Sequence, residues 1–327
     1  MFGSHLSIAG SMANALIEAE GLGMDTVQVF TKNQQQWKAK PLADDEVARW
    51  KAEVARLGWG GDGASDVGRT VAHAGYLINL ASPKDELWEK SIDLMRIEIE
   101  RCEALGIPFL VHHPGSPTGS GVEFGVARIA AAYARLLPSV AGFKTVCCLE
   151  NTVGAGSTLG GPFEQLADLR RRIIDTGWSA ERIGFCFDTC HAHAAGHDMA
   201  TVASASAVLA EFDSIAGLAN IRAIHLNDSK GALGSRLDRH EHIGEGTIGG
   251  PRLDKSGFAA VVNHPALRNV PKIMETPKGD NPEGTPYDTL NLRRLRKLVT
   301  EPEPIMGGRP RRGRTGRSSQ TRSSTTR

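Results

Sequence analysis

Short apolar runs alternate with longer amphipathic stretches eight times along the chain. The short runs predict strands, whereas apolar positions three or four residues apart predict helices that bury one face. The predicted strands are residues 2–5, 26–30, 70–73, 108–113, 145–150, 182–188, 221–226 and 272–275. The predicted helices are residues 11–22, 44–57, 84–105, 122–137, 163–176, 199–218, 254–263 and 287–298.

Two of the predicted strands, within residues 146–149 and 183–187, are almost continuously apolar. This pattern is typical of strands that are buried on both faces in a parallel sheet. Eight successive strand–helix units therefore predict an α/β fold, a single-domain (β/α)8 TIM barrel over residues 1–300. An open, doubly wound sheet is the alternative, but no Gly-x-Gly-x-x-Gly motif follows a strand.

Two segments lie outside this pattern. Residues 59–66 are rich in Gly and predict a loop. Residues 301–327 are rich in Arg, Ser and Thr with few apolar residues, so we expect a disordered tail. Seven Arg and no acidic residue lie between positions 309 and 327, and the rest of the chain is net acidic. Such a tail could bind phosphates or only favour solubility.

The remaining composition bears on the cellular compartment. The five Cys have no regular metal-binding spacing, and no uncharged apolar run is long enough to span a bilayer. The first residues also lack the basic start of a secretory signal. These features favour a protein of the reducing cytoplasm, without a membrane partner.

The predicted strands end on residue types that bind metals. The carboxyl ends of barrel strands form the active site in enzymes of this fold, so these side chains should converge. They are His73, His113, Glu150, Asp188, His225 and Glu275. A single His at a strand end is more often an ordinary polar residue, but charged groups rarely gather in a closed space without a cation.

Three further residues extend the set. His191 follows Asp188 by three positions, and Asp238 and His240 project to the same side of an extended backbone. The nine side chains are imidazoles and carboxylates without Cys, which suits Zn²⁺, Mn²⁺ or Fe²⁺. Nine ligands exceed one tetrahedral ion and predict a cluster of two or three. Three divalent ions would carry more positive charge than the four carboxylates carry negative charge. The excess would suit an anionic substrate such as a phosphodiester.

The motifs around these residues occur in a distinctive order. They are Gly3-Ser-His-Leu-Ser, Phe30-Thr-Lys-Asn-Gln-Gln-Gln-Trp37, Tyr76-Leu-Ile-Asn-Leu80, His113-Pro-Gly-Ser116, Glu150-Asn-Thr, Asp188-Thr-Cys-His-Ala192, His225-Leu-Asn-Asp-Ser-Lys230, Gly234-Ser-Arg-Leu-Asp-Arg-His240, Gly244-Glu-Gly-Thr-Ile-Gly249 and Glu275-Thr276. Over residues 2–298 the chain resembles the endonuclease IV family, which are zinc-dependent apurinic/apyrimidinic endonucleases.

The resemblance implies a trinuclear metal centre with three Zn²⁺ per chain, Mn²⁺ being an alternative in some sites. The implied ligands are His73 and His113 for the first ion, Glu150 as a bridge, Asp188, His225 and Glu275 for the second ion, and His191, Asp238 and His240 for the third. Glu150 and Glu275 are the implied catalytic residues. The implied reaction is hydrolysis of the phosphodiester 5′ to an abasic site by a metal-activated hydroxide, leaving a 3′-hydroxyl and a 5′-deoxyribose phosphate, with trimming of 3′ ends.

The resemblance also implies a DNA-binding surface on the loops after the second and third strands. The matching positions are Gln35, Tyr76 and Leu77, although the family commonly has Arg where this chain has Gln35. Side chains that enter the duplex can replace lost stacking, and an abasic nucleotide is easier to flip than an intact one. Core packing at a helix start is the ordinary alternative for Tyr76 and Leu77. The implied partner is duplex DNA containing abasic sites, bound by a monomer in the cytoplasm at the nucleoid.

Two other functions compete with this hypothesis. Barrel sugar isomerases and epimerases also gather His, Glu and Asp around metals, but they usually hold one or two ions and lack the Asp-x-His pair that Asp238 and His240 form here. A non-catalytic protein that binds damaged DNA would be expected to have lost a ligand, and all nine are present. The number of bound ions distinguishes the enzymes from each other.

Overall fold

The computed structural model describes residues 1–61 and 68–300. Eight parallel strands close into a barrel, and they are β1 (Phe2–His5), β2 (Thr26–Phe30), β3 (Thr70–His73), β4 (Phe109–His112), β5 (Val146–Glu150), β6 (Ile183–Asp188), β7 (Ile221–His225) and β10 (Lys272–Met274). Their order around the barrel is β1-β2-β3-β4-β5-β6-β7-β10 and back to β1. This closed barrel confirms the predicted fold class and excludes the open sheet.

Helices surround the barrel and connect its strands. They are α1 (Ala13–Gly21), α2 (Asp44–Leu57), α3 (Asp85–Leu105), α4 (Val122–Val140), α5 (Phe163–Asp175), α6 (Thr189–Ala195), α7 (Val202–Ile215), α8 (Gly257–Asn263) and α9 (Tyr287–Arg296). Apolar residues such as Trp50, Phe163 and Phe212 pack between these helices and the outward faces of the strands. The amphipathic pattern thus corresponds to burial of one helix face, as predicted.

Helix boundaries differ from the predicted ones where local hydrogen bonding decides them. Helix α7 begins three residues later than predicted, because Thr201 and Ser204 form a reciprocal capping box at its start. Helix α8 is also shorter, since a 3₁₀ turn occupies Leu253–Lys255. Helix α4 continues past Pro138 to Val140, where its last turn remains packed against the barrel.

Two elements were not among the predicted strands and helices. Short helix α6 follows β6 directly, and a two-stranded antiparallel ribbon pairs β8 (Asp228–Ser229) with β9 (His240–Glu241). Both lie at the carboxyl ends of neighbouring barrel strands. The ribbon is too short to give an alternating apolar pattern, so periodicity could not reveal it.

The barrel interior contains an apolar layer directly beneath the predicted site. Its members are Val71, Phe109, Val111, Val146, Cys148, Cys186, Ala223 and Ile273. Successive side chains of a strand point to opposite faces, so residues two positions apart share the interior. His73 therefore follows Val71, and Glu150 follows Cys148, on the same inward face. The apolar layer forms the floor of the site.

The predicted loop at residues 59–66 lies only partly within the described part of the chain, and the predicted tail lies outside it. Trp59 in the predicted loop at 59–66 is buried against the core. Residues 62–67 and the predicted tail at 301–327 lie outside the described residues. Within residues 1–61 and 68–300, no helix is long and apolar enough to cross a membrane.

Candidate metal centre

A first group of donors lies where β3, β4 and β5 end. It consists of His73, His113 and Glu150, whose donor atoms lie within 4.8 Å of one another. Nε2 of His73 and Nε2 of His113 are each 3.2 Å from Oε2 of Glu150. The neighbouring strands therefore bring three donor side chains to one point.

A second group lies deeper and uses the other oxygen of the same Glu. It consists of Glu150, Asp188, His225 and Glu275. Nδ1 of His225 is 2.9 Å from Oε1 of Glu150 and 3.3 Å from Oε2 of Glu275. Oδ2 of Asp188 lies 3.8 Å from the same ring nitrogen. Glu150 thus directs one oxygen to each of the first two groups.

A third group forms at the outer edge from residues beyond the barrel strands. It consists of His191 on α6, His240 on β9 and Asp238 in the loop that precedes β9. Oδ1 of Asp238 is 3.2 Å from Nε2 of His191 and 3.4 Å from Nε2 of His240. Nε2 of His240 also lies 3.8 Å from Asp188, which connects the third group to the second.

Backbone carbonyl groups fix the rings of three of these histidines. Nδ1 of His73, His191 and His240 lies within 3.1 Å of the carbonyl oxygen of Ala74, Asn151 and Glu275, respectively. A carbonyl oxygen can only accept, so each Nδ1 carries a proton, and in the neutral ring the free lone pair belongs to Nε2. Those Nε2 atoms face the carboxylates. This arrangement, in which the second ring nitrogen donates to the protein, is the usual one for metal-binding His.

Buried amide side chains hold the Asp188 carboxylate in place. The backbone N–H of His191 donates to Oδ1 of Asp188 at 2.7 Å, and Asn227 donates to Oδ2 at 2.7 Å. Asn151 accepts from the backbone N–H of Asp188 and donates to its carbonyl oxygen. Asn227 also accepts from the backbone N–H of Glu275. Sequence reasoning missed Asn151 and Asn227, although both lie within the motifs quoted above.

The charges of the site balance one another inside the barrel. Burial opposes ionisation of Glu150, but the nearby His225 and His113 outweigh it and hold the pKa of Glu150 well below its usual value. Burial also opposes protonation of His191, yet Asp188 and Asp238 hold its pKa well above the usual value. Protons on imidazoles thus supply the positive charge that the carboxylates need. A divalent cation can take over that role while releasing protons.

The donor set fits divalent metal ions. The Nε2 atoms of His191 and His240 are buried, and the carboxylates that they face are at ion-pair distance but outside hydrogen-bonding geometry, a state that buried polar atoms normally avoid. Cys186 and Cys190 lie close to the donors. Burial raises the pKa of each thiol to about 12, so both are protonated at neutral pH without a metal ion. The nine predicted ligands are imidazoles and carboxylates, and these suit Zn²⁺ or Mn²⁺.

Of the three predicted DNA-binding residues, Tyr76 lies beside a predicted metal ligand at the open end of the barrel. Tyr76 is 68% exposed, with its ring in edge contact with Phe30 and 6.0 Å from the ring of His73. Its exposure is at odds with core packing. Leu77 is half-buried against the core, and Gln35 is exposed on the loop after β2. Tyr76 also borders a cleft of about 610 Å³ that reaches the ligands His240 and Glu275.

A buried carboxylate that sequence reasoning did not select anchors the loop after β9. Asp228 accepts hydrogen bonds from the backbone N–H groups of Ser229, Gly244, Gly246, Ile248 and Gly249. A Cβ atom at Gly246 or Gly249 would lie within 2.5 Å of this carboxylate, so the backbone can approach only as glycine. The backbone of the Gly-rich motif, residues 244–249, therefore folds closely around the Asp228 carboxylate, shortly after the predicted ligand His240.

Comparison with known proteins agrees with this geometry. The model of the xylose isomerase-like TIM barrel family matches residues 16–297. A protein named "Probable endonuclease 4" from Chloroflexus aurantiacus is 44% identical over 298 residues, covering 91% of this chain and 98% of the relative. A protein of the same name from Geobacter sulfurreducens is 43% identical, covering 91% and 94% of the two chains.

Among solved structures, this chain is also similar to an endonuclease IV. The crystal structure of endonuclease IV from Thermus thermophilus aligns with a TM-score of 0.75 and 36% identity, covering 91% of this chain and 98% of that chain. A D-tagatose 3-epimerase-like protein aligns with a TM-score of 0.64 at 18% identity, covering 91% and 96% of the two chains. The second similarity shows the fold alone.

The Asp228 anchor leads to a stability prediction. We expect Asp228→Asn to lower the free energy of unfolding by about 1–3 kcal/mol, because the amide N–H₂ cannot accept from the backbone donors that the carboxylate satisfies. Urea denaturation of the metal-free protein measures the change. Asp254→Asn is the control, since Asp254 is exposed and pairs with Arg252 at the surface. Equal stability of the two variants would contradict the anchoring role.

Proposed function

The chain belongs to the endonuclease IV family of xylose isomerase-like TIM barrels, and from this premise we propose that it cleaves duplex DNA at abasic sites. As a member of that family it is a metal-dependent nuclease. We assign to it hydrolysis of the phosphodiester 5′ to the abasic nucleotide, which leaves a 3′-hydroxyl and a 5′-deoxyribose phosphate. Trimming of blocked 3′ ends would use the same site, because the bond cleaved is again a 3′ phosphate ester.

The observation that carries the proposal is the arrangement of the three donor groups around shared carboxylates. Glu150 belongs to the first and second groups, and Asp188 lies between the second and third groups. Three divalent ions on four carboxylates would leave a net positive charge at the open end of the barrel. A phosphodiester is an anion with the oxygen atoms that such ions prefer as ligands.

The residues have distinct roles in this proposal. Divalent ions bound by the nine donors would supply a lowered pKa of water and electrostatic stabilisation of the phosphodiester oxygens. Glu150 and Glu275 would act as the catalytic carboxylates by fixing the spacing within the second group. The side chains of His113, Asp238 and His240 border solvent, so the substrate phosphate would approach the site from their side.

The DNA-binding residues would act before the chemical step. The exposed ring of Tyr76 lies at the cleft that leads to the metal ligands, which is the position for stacking where a base is missing. Leu77 would support this contact from its half-buried position, and Gln35 would bind the duplex from the loop after β2. Arg239 lines the same opening and adds positive charge next to the third group.

We propose three Zn²⁺ ions per chain, with Mn²⁺ as an alternative occupant of some sites. The protein would act as a monomer on duplex DNA in the cytoplasm, at the nucleoid. A sugar isomerase or epimerase would not need the third group. A protein that only binds damage would not need the complete donor set.

One assay tests the proposed reaction and its metal dependence together. A duplex carrying a single tetrahydrofuran abasic analogue should be cut on the 5′ side of the analogue, giving a 3′-end that a DNA polymerase extends. A strong chelator should abolish cleavage, and added Zn²⁺ should restore it. The matched duplex without the analogue should remain intact. Elemental analysis should give close to three divalent ions per chain.

Two results would contradict the proposal. One ion or none in active protein would refute the trinuclear centre. Tight binding of the abasic duplex without cleavage, at full metal content, would favour the damage-binding protein instead.

Glu150 should be the least replaceable donor. We expect Glu150→Gln to reduce turnover by more than about 100-fold, because residues that only orient metal ligands already cost about 10–100-fold in activity. Single-turnover cleavage together with metal analysis measures the effect. Glu181→Gln, at the opposite rim of the barrel, is the matched control. Near-normal turnover with three bound ions would show that Glu150 does not bridge the first two groups.

Gln35 provides a test of the DNA-binding surface. Gln35→Arg should tighten abasic-DNA binding at low salt and steepen the slope of log affinity against log salt by at most about 0.9, the contribution of one neutralised phosphate. The chemical step should change little, because Gln35 lies on an exposed loop. Ala219→Arg, at the opposite rim, controls for the added charge. An altered single-turnover rate at unchanged affinity would give this loop another role.

A further inference from the structure

A buried amide inside the barrel has no place in the donor set or in the proposed DNA surface. Gln28 lies on β2 with no exposed surface, on the inward face of the strand. Uncharged polar side chains are seldom fully buried unless their hydrogen bonds are satisfied. The contacts of Gln28 are therefore informative.

All the polar atoms of Gln28 meet histidine or carboxylate side chains. Its Oε1 is 2.8 Å from Nε2 of His225, and its Nε2 is 2.6 Å from Oε1 of Glu275. The second amide hydrogen points to Nδ1 of His5 at 3.0 Å. Gln28 thus contacts two members of the second group, reaching His225 from a strand 197 positions away in the chain.

The Glu275 carboxylate determines which end of the Gln28 amide is the oxygen and which is the N–H₂ group. A carboxylate oxygen accepts, so the atom of Gln28 next to Glu275 must be the N–H₂ group. The amide oxygen then faces Nε2 of His225 and accepts a hydrogen bond from its N–H. A neutral His225 ring, which a metal ligand requires, therefore keeps its proton on Nε2 and has its lone pair on Nδ1. Nδ1 is the nitrogen that faces Glu150 and Glu275.

His225 differs in this respect from His73, His191 and His240. In those rings Nδ1–H donates a hydrogen bond to a backbone carbonyl, so the fold itself fixes the ring. The ring of His225 is reversed, with Nδ1 towards the donors, and its other nitrogen meets a side chain. The tautomer of His225 can consequently be altered by a single substitution.

We propose that Gln28 is a positioning residue for the second group. It holds the Nε2–H tautomer of His225 and the orientation of Glu275 together, and thereby sets the affinity of the second group for its divalent ion. This inference rests on the proposed metal chemistry of the site. It is independent of which phosphodiester the protein cleaves.

The decisive variant is Gln28→Met, which keeps the length of the side chain and removes both polar ends. Metal-free protein is titrated with Zn²⁺ in competition with a chromophoric chelator. We expect one of the three binding steps to weaken by about 10–100-fold, as is typical when a residue that orients a ligand is lost, and the other two to remain unchanged. Gln36→Met, on the exposed loop after β2, is the matched control and should bind like wild type.

A second measurement reports the tautomer directly. In ¹⁵N NMR spectra of the metal-free proteins, recorded at a pH high enough to make the His225 ring neutral, that ring should show the Nε2–H form in wild type and a mixture of forms in Gln28→Met. Gln28→Leu repeats both measurements with a different apolar shape, and thermal unfolding checks that each variant folds.

The outcomes separate this inference from the proposed function. Wild-type protein that binds no divalent ion would overturn the proposed metal chemistry itself. Three unchanged binding steps in folded Gln28→Met, or an unchanged His225 spectrum, would overturn only the role of Gln28. Failure of both apolar variants to fold would also overturn it, because Gln28 would then serve the fold rather than the metal site.

Discussion

The two-residue spacing of side chains on the inward face of parallel strands is the constraint on which this site depends. Six strands carry an apolar residue in the interior, and two positions later the chain presents a carboxylate or an imidazole. Closure of the barrel brings those six side chains together above a floor that excludes water. Ionised Glu150, with no exposed surface, is tolerable there only because positive charge surrounds it. The same apolar floor that stabilises the barrel makes positive charge necessary at its mouth, whether from protonated imidazoles or from divalent ions.

The strands and the residues at their ends could be predicted from the sequence, because both follow from local periodicity. The buried strands at 146–150 and 183–188 show the pattern without any knowledge of their partners. Asn151, Asn227 and Gln28 could not be recognised in that way. An amide has no distinguishing pattern, and the contact of Asn151 with Asp188 depends on how β5 and β6 are aligned. The role of Asp228 could not be predicted either, because its hydrogen-bond partners lie about twenty residues away in a loop without periodicity.

Exposure differs widely among the donors of the three groups. Asp188 and His225 are fully buried, and the amides around them leave little freedom of movement. By contrast, the side chain of His113 is 32% exposed and that of Asp238 is 49% exposed. Asp188 and His225 of the second group are thus enclosed by protein, whereas the first and third groups each have a donor that borders solvent. The outer donors are therefore the ones open to solvent, and the most deeply buried carboxylates lie behind them.

The third group shows why the barrel alone does not determine the chemistry. The first two groups use only strand ends, which any barrel of this fold provides, and a D-tagatose 3-epimerase-like protein has the same fold at 18% identity. His191, Asp238 and His240 come from helix α6 and from the ribbon of β8 and β9, which are additions after β6 and β7. Asp228 stabilises the ribbon, because its carboxylate accepts backbone hydrogen bonds from the glycine-rich loop that follows β9. A buried carboxylate outside the three donor groups therefore supports the additions that distinguish this site from one built on strand ends alone.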